Sequence, residues 1–473
     1  SCCSLIVNSG VGRSLTISSG GYVEVQNNIA NNGTLDVLDN GSLVQIDDAG
    51  VNTGNVFVKR TADLRLHDYS YWSTPVSDAT GAPIFPITSV SPNTPTSVIW
   101  KWGPASPSGN AGQGMWLNTI ENMVKGTGYA VRGPSGTGNA TTTPLNVNFE
   151  GVPNNGVIQV DIARGSDLNA GTAGPNGVMR TIKDDNFNLI GNPYPSAIDA
   201  DLFIARYGVS TSPDYADIEG SVRIWSHNSL PLGSNPDPFY ANYQVNYSAS
   251  DYIVYNSLGS QFGPDTYLGK IPSGQGFFVL MRDGAAGTNT INFRNALRSR
   301  TFDNSQFFRT TSVNSNNQTN TVEKHRIWLD IISPTNSVTR TVFGYATGAT
   351  NELDNTFDAI TDSKMSYNLY SIVNDEVLTI QGRGLPFSSD DKVQMGVAIP
   401  SAGLYKIAIA TVDGIFSTSN NSGQKIYLED KELNIIHDLT LTPYEFNGVQ
   451  GKYNSRFVIR YNNGVLANET FET

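Results

Sequence analysis

The sequence predicts an all-β protein, and three observations carry that reading. Apolar residues alternate with polar ones over short runs along the whole chain, and Gly, Asn and Pro break the runs. Charged residues are only 15%, with 46 glycines and 23 prolines, a composition that suits short strands joined by turns rather than long exposed helices. A single stretch, DLFIARYG from Asp201, has the look of a helix. At 473 residues the chain is long enough for two to four domains and a sizeable core without disulfides.

The first 60 residues hold SLTI (Ser14 to Ile17), YVEV (Tyr22 to Val25), TLDV (Thr34 to Val37), SLVQI (Ser42 to Ile46) and VFVKR (Val56 to Arg60), separated by GG, NNG and DNG turns. Such spacing makes hairpins or the rungs of a β-solenoid. We read it as solenoid-like rungs, which cannot bury a core alone and must cap the next domain.

Residues 61–300 form a middle region of β-sandwich or jelly-roll type built from two similar halves, about 61–152 and 185–295. FNLIGNPYPSAIDADLF (Phe187 to Phe203) is matched by YSYWSTPVS (Tyr69 to Ser77), with Pro193 answering Pro75. Each corner is followed by a tryptophan strand, SVIWKW or SVRIWSHN. A glycine-led strand comes next, GTGYAVRG or SGQGFFVLMRDG, and each half closes on NVNFEG or TINFRN. Four blocks in one order argue for internal duplication, with chance likeness among β-rich strings as the alternative.

The polar tract SVNSNNQTNT, within residues 301–322, reads as a linker. Beyond it, residues 323–463 supply about eight strands, the pattern of a C-terminal β-sandwich. Residues 464–473 read as a flexible tail, because Val465, Leu466 and Phe471 offer too little apolar surface to order it.

The strings HRIWLDI from His325, GYATGATNELDNTFDA from Gly344, LYSIVNDEVLTIQGRGLPF from Leu369, QKIYLEDKELNIIHDL from Gln424 and NSRFVIRYNNG from Asn454 resemble the C-terminal sandwich of large secreted Bacteroidota proteins. The rungs and the LIGNPYPSAIDAD element are similar to upstream regions of the same group. Its members leave the cell through the type IX secretion system, and in them RFVIRY-like sequence precedes a cleavable sorting domain. The resemblance implies a signal peptide upstream and a sorting domain downstream. It implies as partners the type IX translocon and an outer-membrane shuttle protein, and a place outside the cell. The group includes adhesins and gliding-motility surface proteins.

The net charge of −12 excludes a basic surface for nucleic acid. Cys2 and Cys3 are neighbours, a bond between which would be strained, and they read as free thiols, as a link to another chain or, the reading we favour, as residues of no consequence. No G-x-S-x-G, H-E-x-x-H, C-x-x-C or P-loop occurs, and the adjacent pairs His67-Asp68 and His437-Asp438 cannot make a triad by themselves. Asp184, Asp185, Asp199 and Asp201 flank the Pro193 corner. They are candidates for a carboxylate pair, and Asp199 with Asp201 for a structural Ca²⁺ site, set against helix capping at DLFIARYG.

In a strand, Val98, Trp100 and Trp102 share an apolar face that belongs in a core. Trp225 shares its face with Arg223 and His227, an arrangement that could stack on a sugar ring or sit at a sandwich edge under the arginine. The expected function is therefore a non-enzymatic secreted or surface protein, type IX cargo working by adhesion or display, without a catalytic cofactor. A secreted carbohydrate-active enzyme or carbohydrate-binding module is the alternative.

Overall fold

The computed structural model describes residues 1–104, 114–165, 171–172, 186–227, 229–232, 251–264, 266–283, 287–299, 303–307, 322–361, 367–418 and 423–464. The fold is all-β, and the α-helix Ala200–Tyr207 is the one α-helix among the described residues. The chain divides into two compact units, Ser1–Tyr255 with Asp265–Asn317, and Asn256–Pro264 with Gln318–Thr473.

The first unit opens as a three-faced parallel solenoid. Leu5–Val7, Ile29–Asn31 and Asn52–Thr53 stack on one face, Ser14–Ile17, Thr34–Val37 and Val56–Leu64 on the second, Tyr22–Val25 and Ser42–Gln45 on the third. Alternation sends Ile17, Val25, Leu35, Val37, Leu43, Val56 and Val58 into the coil, where each is at most 3% exposed. Rungs need sharp corners: Gly54 has φ +78°, and a Cβ there would stand 1.8 Å from the Asn31 carbonyl oxygen.

The rungs do not end where the composition changes. Val56–Leu64 is parallel to Thr34–Val37 on one side and antiparallel to Thr143–Pro153 on the other, so one strand crosses residue 60 and joins the solenoid to the next layer in one sheet and one core.

A four-stranded and a five-stranded sheet follow, and four strands of the second repeat the order of the first. In the first, Tyr69–Trp72, Tyr129–Arg132, Ile99–Gly103 and Met115–Asn118 lie side by side. In the second, Phe187–Gly191, Gly276–Leu280, Val222–Trp225 and Tyr252–Asn256 do so. The register agrees too: Trp72 faces Tyr129 as Ile190 faces Phe277, and Tyr69 faces Arg132 as Phe187 faces Leu280. The closing strands Thr143–Pro153 and Thr288–Phe293 pair with Val56–Leu64 and Ile158–Ala163.

The segment expected to be a linker contains structured residues. Asn304 is buried, its Oδ1 accepting from Ser273 N at 2.7 Å and its Nδ2 donating to the Gly41 carbonyl at 2.7 Å, while Phe307 lies under the Arg60 guanidinium at 4.3 Å. The tract SVNSNNQTNT and residues 465–473 of the expected tail lie outside the described residues.

The second unit is one long, mostly antiparallel sheet of 11 strands that curls around its own core. Ile327, Leu329, Ile331, Phe343, Met395, Ile407 and Phe457 fill that core, each fully buried. Every one of the eight apolar runs read from the sequence contains a strand. Carboxylate clamps hold its rim: Arg456 grips Asp430 (2.7 Å) and Arg383 grips Asp391 (2.6 Å), which keeps both carboxyls below the usual carboxylate range.

Candidate functional site

The two halves of the first unit meet along a seam with local two-fold symmetry. Ser73 N donates to the Gly274 carbonyl at 2.8 Å, and Gly191 N donates to the Gly126 carbonyl at 2.8 Å. The isolated bridges Trp72 to Gln275 and Ile190 to Thr127 are equivalent in the same way. Close approach on the axis explains the glycines. A Cβ on Gly191 would lie 2.3 Å from Ser73 Cβ, one on Gly128 2.6 Å from Leu189, and one on Gly276 2.9 Å from Tyr71 Cβ. Asn154 ties both corners, donating to the carbonyls of Thr74 (3.1 Å) and Pro193 (2.9 Å).

Aromatic side chains from both arrays fill the seam. Tyr71 stacks on Trp225 at 6.0 Å and meets Phe278 edge-on at 5.7 Å; Trp225 meets Tyr252 at 4.8 Å, and Trp102 meets Trp116 at 5.1 Å and Phe278 at 5.7 Å. Polar tips are satisfied within it, Tyr71 Oη with Tyr252 Oη at 2.8 Å and Trp102 Nε1 donating to the Phe187 carbonyl at 2.6 Å. Register sets the correspondence. Trp100 pairs with Ala130 as Arg223 pairs with Phe278, so Trp102, and not Trp100, is the mate of Trp225.

This placement decides between the two readings of Trp225. Arg223, Trp225 and His227 are all buried, 4–6% exposed, and the indole lies inside the joint rather than on an open sugar-binding face. Arg223 sits 5.5 Å from the Phe187 ring, an interaction inside the seam. His227 holds a positive φ of 41°, its Nε2 is 3.2 Å from the Asp63 carbonyl, and its own carbonyl accepts from Arg65 Nη2 at 2.5 Å. That arginine is aimed by Asp68, which is completely buried and accepts from Arg65 N at 2.8 Å and Arg65 Nε at 2.9 Å. His67 beside it is pushed below the usual histidine range by burial and by Arg132.

Trp100 and Trp102 are half-buried and pack against the core of the first unit; Trp100 Nε1 donates to Tyr69 Oη at 3.0 Å, while Trp102 reaches the opposite half at Phe278. Sequence reasoning missed Tyr71, Trp116 and Tyr252. The signal available for Trp116 and Tyr252 was their equivalent place, opposite Trp102 and Trp225; Tyr71, answered by Leu189, offered none.

The aspartates serve the helix. Asp199 is the N-cap of Ala200–Tyr207: Oδ1 accepts from Asp201 N (2.9 Å) and Leu202 N (3.2 Å), and Oδ2 pairs with Lys270. Asp201 accepts from Tyr255 Oη at 3.2 Å, and burial together with Asp201 raises that phenol. Both oxygens of Asp199 therefore already have donors from the chain, which opposes the Ca²⁺ reading of Asp199 and Asp201 on chemical grounds. Asp184 and Asp185 lie outside the described residues. Of the other pair, His437 Nε2 contacts the Thr442 carbonyl at 2.8 Å while Asp438 binds Lys425 at 3.3 Å. Cys2 is half-buried and donates to the Glu24 carbonyl at 3.6 Å, and Cys3 is exposed; neither forms a disulfide.

No curated protein and no solved structure matches the chain. One family model matches residues 1–461, under the description "Domain of unknown function (DUF8693)", and the chain belongs to that family.

Proposed function

We propose that this protein is a non-enzymatic cell-surface or secreted protein, exported as type IX cargo and working by adhesion or display, in a setting such as gliding motility. The carrying observation is how its reactive side chains are used. Trp225 and Arg223 join two halves, Asp199 caps a helix, and Asp68 aims an arginine at backbone carbonyls. These four side chains are committed to structural joints, as a display scaffold requires. The acidic charge of −12 supports a surface exposed to solvent.

The test is an epitope-tagged chain in its native cell. Labelling of intact cells that is lost when the type IX translocon is deleted supports the proposal, together with an exported form lighter than its precursor. Equal masses, or a tag reached only after lysis, would sink it. Turnover of a polysaccharide or peptide library, lost on Asp199→Asn or Asp201→Asn, would overturn the non-enzymatic part.

A glycan-binding module is the second reading, and one observation favours it: Trp100, Trp102 and Trp116 remain half-buried on the first array, whereas Trp225 is buried in the second. Loss of binding to an immobilised glycan panel on Trp100→Ala, with the fold intact, would support it.

A further inference from the structure

The segment Asn256–Pro264 belongs to the second unit, although the chain on both sides of it belongs to the first. It is held in an ordered way. The strand Lys324–Ile332 sends Ile327, Leu329 and Ile331 into the sandwich core, so Arg326, Trp328 and Asp330 lie on its other face. Arg326 Nη1 donates to the Leu258 carbonyl at 2.9 Å, Trp328 Nε1 to the Ser260 carbonyl at 2.9 Å, and Arg340 Nη1 to the Phe262 carbonyl at 2.6 Å.

Both arginines are fixed before they reach the segment. Asp413 takes Nε (2.9 Å) and Nη2 (2.6 Å) of Arg326, and Asp330 takes Nε (2.6 Å) and Nη2 (2.8 Å) of Arg340. Nη1 of each fork goes to a segment carbonyl, and the Arg326 guanidinium also lies 4.8 Å from the Trp328 ring, which is fully buried.

Three alternate carbonyls of the segment, those of Leu258, Ser260 and Phe262, are thus read by preset donors, two of them two residues apart on Lys324–Ile332 and the third, Arg340, on the neighbouring strand Val338–Ala346 opposite Asp330. Side-chain selection is added at two points. Gly259 has φ +133°, and a Cβ there would stand 2.4 Å from Arg326 Nη1; Gln261 Oε1 accepts from Thr379 Oγ1 at 3.0 Å. A loop packed by apolar contact alone would show neither the periodic donors nor the aimed forks.

We propose that this face of the C-terminal sandwich is a binding site for a glycine-containing peptide, read through alternate backbone carbonyls, and that Asn256–Pro264 is its resident ligand. The recognition chemistry is that of backbone capture with small-residue selection, as in strand-addition receptors, but with side-chain donors replacing the sheet edge.

Two full-length variants test it. Gly259→Val places a branched side chain against Arg326 and should expel the segment, so that chymotrypsin cuts after Phe262 faster. A fluorescein-labelled peptide with the sequence of Asn256–Pro264 should then bind this variant about tenfold or more tightly than the wild-type chain, and the same peptide carrying the Gly259→Val change should not bind. Arg340→Lys keeps the charge beside Asp330 but loses the fork. Its cleavage after Phe262 should rise about tenfold, and free peptide should raise it further by competing for the face. Equal peptide binding by wild type and Gly259→Val, or none by a Gly259→Val chain whose segment is cleaved rapidly, overturns the proposal. Should the Gly259→Val chain not fold, Arg340→Lys decides: cleavage unaffected by the substitution and by free peptide overturns it.

Discussion

Asp358 makes the stability of the second unit depend on pH near neutrality. Its carboxyl is buried, accepting from Asp354 N at 2.8 Å and Gly382 N at 2.9 Å, and so pins the turn after Gly348 to the neighbouring strand. Burial, with a smaller contribution from Asp354, pushes it from 3.8 up to about 7. Arg383 opposes this only weakly, since its Nε and Nη2 both donate to Asp391 at 2.6 Å.

The sign follows from where the proton sits. Between about 4 and about 7 the folded chain holds a proton that the unfolded chain has released, so stability falls as pH rises through that window and levels off above it. A gap of about three between the two pKa values corresponds to on the order of 4 kcal/mol. Asp391 and Asp430, held low by their arginines, act in the opposite sense but only below about pH 4. Urea unfolding of this unit, followed by hydrogen exchange of its strand amides, should therefore show a lower midpoint at pH 8 than at pH 5. Asp358→Asn, which has no proton to bind, should flatten the profile. A midpoint that rises from pH 5 to pH 8, or a slope unchanged in Asp358→Asn, would refute the reasoning.

What could be read from the sequence was whatever neighbours in the chain decide. Rung strands such as TLDV and SLVQI carry their own alternation and their own turns, and the halves share the Pro75 and Pro193 corners, so both were visible before any coordinates. Long-range register was not visible. The strings SVIW and SVRIW suggest that Trp100 answers Trp225, yet the ladder pairs Arg223 with Phe278 and shifts the match to Trp102. The sugar reading of Trp225 failed for the same reason: strand alternation names the face of a residue but not what covers it, and Tyr71, which covers it, lies about 150 residues upstream. The clamp on Asn256–Pro264 joins side chains 68 or more residues from the carbonyls they hold, and HRIWLD by itself reads as an ordinary strand with one polar face.

Three further outcomes test the joints of the first unit. Asn304→Ala strands the Ser273 N–H and the Gly41 carbonyl in a buried site and should cost about 2–4 kcal/mol in urea unfolding, whereas a flexible linker residue would cost almost nothing. Asp199→Ala removes a helix cap and the Lys270 pair for about 1–2 kcal/mol; Asp199→Asn should recover the cap, and added Ca²⁺ should leave the melting temperature of the wild type unmoved, an upward shift favouring the metal reading instead. Trp225→Ala separates glue from ligand platform. The indole is 4% exposed and packed on Tyr71 and Tyr252, so truncation should cost about 3–5 kcal/mol by unfolding monitored at the remaining tryptophans. Trp102→Ala, at the half-buried mate, should cost less, and the double variant should fall short of the sum, because the two rings share one aromatic cluster through Tyr71 and Phe278. A Trp225→Ala chain as stable as wild type would mean that the halves are held by the backbone bridges at Ser73 and Gly191 alone, and the tryptophan would again be open to a role in binding.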